Sequence, residues 1–147
     1  MSEGNVIAII GVAVCVLLCG IGSAIGLYKT GSAAAGVLGE NPKKFGQVLV
    51  LVLLPATQGI YGFIIGIIAS TPALAAGIAP EVGWALFAKV MPMALSGLIT
   101  GIFQGKSAVN CIYAAGKQDG LGMKLLIYPA MIEFYAILGL IISIMLV

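Results

Sequence analysis

Four long runs of apolar residues dominate the pattern of this chain, separated by short segments rich in glycine, proline or charge. They extend from about Asn5 to Tyr28 (compatible with helix as far as Gly39), from Phe45 to about Ser70, from about Val82 to Ala115, and from Gly120 to Val147. Each run exceeds the roughly 20 residues that a helix needs to cross a bilayer. We therefore predict an all-α membrane protein with four transmembrane helices.

The joints between these spans indicate their orientation. They read LGENPKKFG, STPALAAGIAPEVG and AAGKQDGLG. Lysines concentrate at the first and third joints and at the adjoining helix ends, at Lys29, Lys43, Lys44, Lys106, Lys117 and Lys124, whereas Lys89 alone lies towards the other side. By the positive-inside rule, the first and third loops are predicted to be cytoplasmic and both termini to face outwards, across a cell membrane.

Composition agrees with this class of protein. Of the 147 residues, 61% are hydrophobic and only 8% are charged, far below the roughly one quarter that is typical of soluble domains. The net charge of +2 comes from lysine alone, without arginine or histidine, which argues against nucleic-acid binding and histidine chemistry. Three cysteines in apolar surroundings predict neither a disulfide nor a metal framework.

The two halves of the chain repeat each other. A shift of 74 residues places Pro55 on Pro129 and Tyr61 on Tyr135, and a shift of 77 places Lys29 on Lys106. We predict two helical hairpins of like orientation, residues 1–74 and residues 75–147. In this register Glu133 falls opposite Gly59, so only the second hairpin carries the carboxylate.

The first and third spans each carry a stripe of small residues every three or four positions: Gly11, Cys15, Cys19, Gly22 and Gly26 in the first, and Ala94, Gly97, Gly101 and Gly105 in the third. Such a stripe permits close packing of helices. One interpretation is packing within a single chain. The other is that these two spans form the crowded inner wall of an oligomeric ring, with the second and fourth spans outside.

Three polar side chains, which are energetically unfavourable inside a bilayer, are predicted to lie at the same depth in the membrane. Counted at 1.5 Å per residue from the cytoplasmic joints, Gln58 and Glu133 are about 20 Å deep and Gln104 is roughly 18 Å deep. Leu54, Thr57, Gln58 and Tyr61 share one helix face. A carboxylate near the bilayer centre costs about 3 kcal/mol or more and therefore usually has a partner.

The chemistry of this group favours a small hard cation. Thr57, Gln58, Gln104 and Glu133 all offer oxygen atoms, and Pro55 lacks an N–H, which could leave a backbone carbonyl free as another ligand. One carboxylate neutralises one monovalent charge. A proton would also neutralise Glu133, although it would not need two amides and a hydroxyl around it.

Three segments carry a resemblance to a known family. LPATQGIYGF, GIFQGK and PAMIEFYAILG, in that order on a duplicated four-helix chain, closely resemble the proteolipid ring subunit (c or K) of V-type ATPases. The similarity covers essentially the whole chain and is greatest to the bacterial sodium-pumping branch. The resemblance implies that Na+ is held by the Leu54 carbonyl, Thr57, Gln58, Gln104 and Glu133, with Tyr61 donating to the carboxylate. Phe134 and Pro129 depart from the family pattern at positions that are not ligands there.

The resemblance also implies a mechanism and partners. About ten copies would form a membrane rotor turned by a soluble ATP-hydrolysing head that binds through central-stalk subunits at the cytoplasmic loops. An arginine in a stator subunit would displace the ion from Glu133, since this chain has no arginine. The chain also has no phosphate-binding loop, so we expect a subunit that is not itself an enzyme.

Other functions are compatible with the same pattern. A ring of this kind could carry H+ instead of Na+. A dimeric four-helix exporter of drugs or cations would use Glu133 for substrate and proton in turn, although the parallel duplication favours a ring. A purely structural membrane proteolipid is the third possibility, and the shared depth of the polar groups argues against it.

Overall fold

The computed structural model describes all 147 residues, and they form the four predicted spans. The helices are α1 (Glu3–Glu40), α2 (Phe45–Leu53), α3 (Thr57–Ala73), α4 (Pro80–Lys117), α5 (Leu121–Leu125) and α6 (Ile127–Leu146). The first span is α1, the second is α2 with α3, the third is α4, and the fourth is α5 with α6. All four are long and apolar enough to cross a membrane, which confirms the predicted fold class.

Local sequence signals define the ends of α1. Ser2 caps its N-terminus in a reciprocal pair with Asn5, which satisfies backbone N–H groups that have no partner within the helix. At the other end Asn41 is extended and Pro42 follows, so the helix stops at Glu40. The predicted continuation of the first span past Tyr28 is therefore correct.

The two long helices α1 and α4 form the centre of the molecule, and they approach closely because glycines face each other. A Cβ atom added to Gly22 would lie 2.6 Å from the carbonyl oxygens of Gly97 and Leu98. One added to Gly101 would lie 2.6 Å from the carbonyl carbon of Gly22. The stripes predicted from sequence therefore pack against each other within one chain, which is the first of the two interpretations given above.

The second and fourth spans pack against this central pair and are both interrupted. A 3-10 turn, Leu54–Ala56, separates α2 from α3, and Leu126 separates α5 from α6. Pro55 lies inside the first interruption and Pro129 follows the second by three residues. Because proline has no N–H and its ring collides with the preceding turn, these residues explain why neither span is one continuous α-helix.

Polar contacts join the spans at both ends of the bundle. At one end, Asn5 Nδ2 donates to the Ala73 and Ala75 carbonyls, both at 2.8 Å. At the other end Lys44 is buried, and its Nζ lies 2.9 Å from the Ala115 carbonyl and 2.7 Å from Asp119 Oδ1. The hydrogen bond and the charge of Lys44 lower the pKa of the exposed Asp119 carboxyl below its ordinary value. The first and third loops are thus held together.

Candidate ion-binding site

Glu133 lies on α6, facing α3 and α4, and is half-buried. Its Oε1 accepts a 2.7 Å hydrogen bond from the Tyr61 hydroxyl, and its Oε2 accepts a 3.3 Å bond from Gln104 Nε2. The one ion pair in the structure is Lys44 with Asp119, so no cationic side chain neutralises Glu133. An anion held only by neutral donors at membrane depth remains costly, and binding of a cation or a proton would relieve that cost.

The orientations of the two buried amides follow from the groups around them. Carboxylate and carbonyl oxygens only accept, so Gln104 turns its nitrogen towards Glu133 and towards the Pro129 carbonyl, which lies 3.1 Å away. Its oxygen therefore faces α3, where Gln58 Nε2 donates to it at 2.8 Å. Gln58 and Gln104 are both completely buried.

One hydrogen-bond acceptor in this network has no donor. Gln58 Oε1 is buried and has no hydrogen-bond partner. Buried polar atoms are nearly always paired, and an unpaired one typically costs about 1 to 3 kcal/mol. Gln58 is linked through Gln104 to the half-buried Glu133 carboxylate, and its free amide oxygen is of the ligand type that a hard cation prefers.

Leu54 opens the turn that interrupts the second span, and Thr57 is the first residue of α3, directly before Gln58. The Thr57 hydroxyl donates to the Leu54 carbonyl at 2.9 Å, and the same carbonyl accepts the Thr57 backbone N–H. These two predicted ligands therefore bond to each other, and the Thr57 hydroxyl also lies close to the Tyr61 hydroxyl that donates to Glu133. The structure brings together Gln58, Tyr61, Gln104 and Glu133, and it leaves Leu54 and Thr57 adjacent to them in the chain.

Pro129 takes part in the site although the sequence pattern places it outside the ligand group. Its carbonyl accepts from Gln104 and so helps to fix the amide that contacts Glu133. The available signal was the duplication, which places Pro129 on Pro55. Phe134, the other departure from the family pattern, is exposed and makes no polar contact with the site.

Comparisons with known proteins agree with this architecture. The family model that describes the C subunit of ATP synthase matches the chain twice, over residues 10–69 and 87–146. The V-type sodium ATPase subunit K of Enterococcus hirae is 42% identical over 99% of this chain and 93% of its own length. The A-type ATP synthase subunit K of Methanocaldococcus jannaschii is 34% identical over 99% of this chain and 64% of its own length.

The fold and the site define a duplicated four-helix membrane proteolipid with a single membrane-embedded carboxylate. The chain belongs to the family of the ATP synthase C subunit, the proteolipids that form multi-copy rings in rotary ATPases. The predicted family is thereby confirmed, and membership in it decides against the exporter and the purely structural proteolipid. Members of this family are not themselves catalytic, in agreement with the predicted absence of enzymatic activity.

Proposed function

We propose that this chain, a rotor-ring subunit of a V/A-type ATPase, binds Na+ at Glu133 and carries it across the membrane. The ligands would be the side chains of Gln58, Gln104 and Glu133, with the Leu54 carbonyl and Thr57 hydroxyl joining them from the adjoining turn. Tyr61 would hold the carboxylate in place. We assign the carrier role to Glu133 because it is the one acidic residue among the proposed ligands.

The observation that carries the choice of ion is the unpartnered Gln58 Oε1. A proton on Glu133 would neutralise the charge but would leave this oxygen without a partner. A sodium ion would neutralise the carboxylate and satisfy the amide oxygen at once, which favours Na+ over H+. The similarity to a sodium ATPase subunit at 42% identity supports the same choice.

The resemblance to rotary ATPases implies the remaining parts of the machine. About ten copies would form the ring, loaded with one ion each and turned by the ATP-hydrolysing head through stalk subunits at the first and third loops. A stator arginine would restore Glu133 as an anion and release the ion, because an opposite charge favours the ionised carboxylate. The lysine-rich loops would lie in the cytoplasm and both termini outside.

Carbodiimide labelling of the assembled ring tests the ion directly, since the reagent attacks only a protonated carboxyl group. At fixed pH near neutrality, rising sodium should slow the labelling of Glu133, and potassium should protect far less because the site is small. A ring whose labelling is indifferent to sodium would carry protons, and the sodium proposal would be wrong.

Two glutamine variants assign the protection to the site. Gln58→Leu removes one neutral ligand and should raise the sodium needed for half protection about tenfold to a hundredfold, which corresponds to roughly 1 to 3 kcal/mol. Gln47→Leu is the matched control, because Gln47 Oε1 is the other buried unpartnered oxygen but lies near Lys44, at the start of the same span. That variant should be protected as the unaltered ring is.

A further inference from the structure

The interruption of the second span sets the position of the proposed ligands on α3. Pro55 offers no N–H, so the carbonyl of Leu51, four residues earlier, loses its helical donor. The Thr57 N–H bonds to the Leu54 carbonyl in a 3-10 turn instead of reaching back four residues. The direction in which α3 leaves this turn, and with it the position of Gln58, depends on how the turn is held.

Pro55 packs into a notch on the surface of α1, which is formed by Gly26. A Cβ atom added to Gly26 would lie 2.5 Å from Pro55 Cβ and 2.5 Å from the Gly101 carbonyl oxygen. Pro55 itself is completely buried. The turn is therefore seated directly on the backbone of α1, at the point where α1 also meets α4.

One helical turn beyond this notch, on the same face of α1, lies Thr30, which is completely buried. Its hydroxyl lies 2.9 Å from the Val52 carbonyl, and 3.2 Å from the carbonyls of Gly26 and Leu27 in its own helix. A hydroxyl donates one proton, and the shortest of the three contacts is the one that crosses to the second span. Thr30 thus bonds the last turn of α2 to α1, just before the interruption.

We propose that Thr30 is a positioning residue for the ion site, acting through the Val52 carbonyl on the turn that leads to Gln58. The inference rests on the proposed sodium binding. Without the hydroxyl, the Val52 carbonyl would lack this partner in a region without water, and the turn would shift to satisfy it. The ligands on α3 would move with the turn, whereas Glu133 lies on a different helix, α6.

The test uses the assembled ring in membranes and the sodium dependence of carbodiimide labelling at fixed pH. Thr30→Val keeps the shape of the side chain and removes the hydroxyl, so half protection should require about threefold to tenfold more sodium. Thr30→Ser keeps the hydroxyl and should restore protection to within about twofold of the unaltered ring. Labelling without sodium is measured for each variant as a baseline, because Tyr61 of α3 contacts Glu133, and the sodium requirement is compared with that baseline.

The duplication supplies a matched control. Ser107 corresponds to Thr30 in the 77-residue register, and its hydroxyl makes no hydrogen bond in the structure. Ser107→Ala should therefore leave the sodium dependence unchanged. If Thr30→Val does not assemble, Thr30→Ala, which cannot introduce a collision, takes its place in the comparison with Thr30→Ser.

The possible results separate the two proposals. Equal sodium requirements in the unaltered ring and in the variant without the hydroxyl would overturn the role of Thr30 while sodium binding stands. An equal shift in Ser107→Ala would also overturn it, since the effect would not depend on the bond to Val52. Labelling of the unaltered ring that ignores sodium would instead overturn the proposed function itself.

Discussion

Replacing Gly101 by alanine tests whether the contact between α1 and α4 sets the packing of the whole chain. The added Cβ would lie 2.6 Å from the carbonyl carbon of Gly22, 2.8 Å from its oxygen and 2.9 Å from the Ser23 nitrogen. All three are backbone atoms, so no side chain is able to rotate away. Since carbon atoms prefer separations of roughly 3.5 to 4 Å, the two helices would have to separate locally by about 1 Å.

The expected loss of stability is worked out by comparison with a glycine that has free space around it. Gly20→Ala is the control, because a Cβ there meets no atom within 4 Å. Both changes gain about 1 kcal/mol of helix propensity, so this term cancels between them. The remaining difference is the cost of overpacking, about 1 to 3 kcal/mol, by which Gly101→Ala should be less stable than Gly20→Ala.

Unfolding of the single chain in mixed micelles of increasing SDS content, followed by circular dichroism, measures this difference without the ring. Gly97→Ala should fall between the two, since its Cβ would meet the ends of flexible side chains, Cys19 Sγ at 2.5 Å and Met93 Cε at 2.8 Å. The larger changes Gly97→Leu and Gly101→Leu should prevent ring assembly. Equal unfolding midpoints for Gly101→Ala and Gly20→Ala would refute the argument that the glycine contact sets how closely α1 and α4 approach.

Two further predictions concern charge. Glu133→Gln should leave a folded ring, because the amide is nearly isosteric and uncharged, yet abolish coupled ion transport in reconstituted vesicles; appreciable transport by that variant would exclude the carrier role. Asp119→Asn should loosen the contact between the first and third loops, seen as faster hydrogen exchange there. In the unaltered chain the same contact should be complete above about pH 4, the ordinary pKa of aspartate, and be lost as the pH falls through the lowered pKa of Asp119.

The fold was predictable because its signals are local or periodic. Span lengths follow from hydropathy, and the glycines that recur at helical spacing predicted close packing of the first and third spans, although not whether it lies within one chain. The common depth of Gln58, Gln104 and Glu133 required only the rise of an α-helix and the positions of the joints. The structure brings these residues together, since Gln104 contacts both Gln58 and Glu133.

The details that sequence reasoning missed depend on contacts between backbone and side chains of different spans. Nothing in the identity of Pro129 indicates that its carbonyl accepts from Gln104, because every residue has a carbonyl. Burial of Lys44 is contrary to the usual behaviour of lysine, and it depends on the Ala115 carbonyl and on Asp119 being brought to it. The orientation of the Gln58 amide likewise follows only once its neighbours are placed.

The duplication explains why the chain offers one site and not two. Gly59 occupies the position in the first hairpin that Glu133 occupies in the second. A Cβ atom added to Gly59 would lie 3.2 Å from the Cβ and the Oγ of Ser23, so a side chain there would point into α1. Glu133 instead lies on α6, with Tyr61 of α3 and Gln104 of α4 within hydrogen-bond distance. A longer side chain at position 59 would be crowded by Ser23, and the proposed ion site therefore has a single carboxylate, that of Glu133.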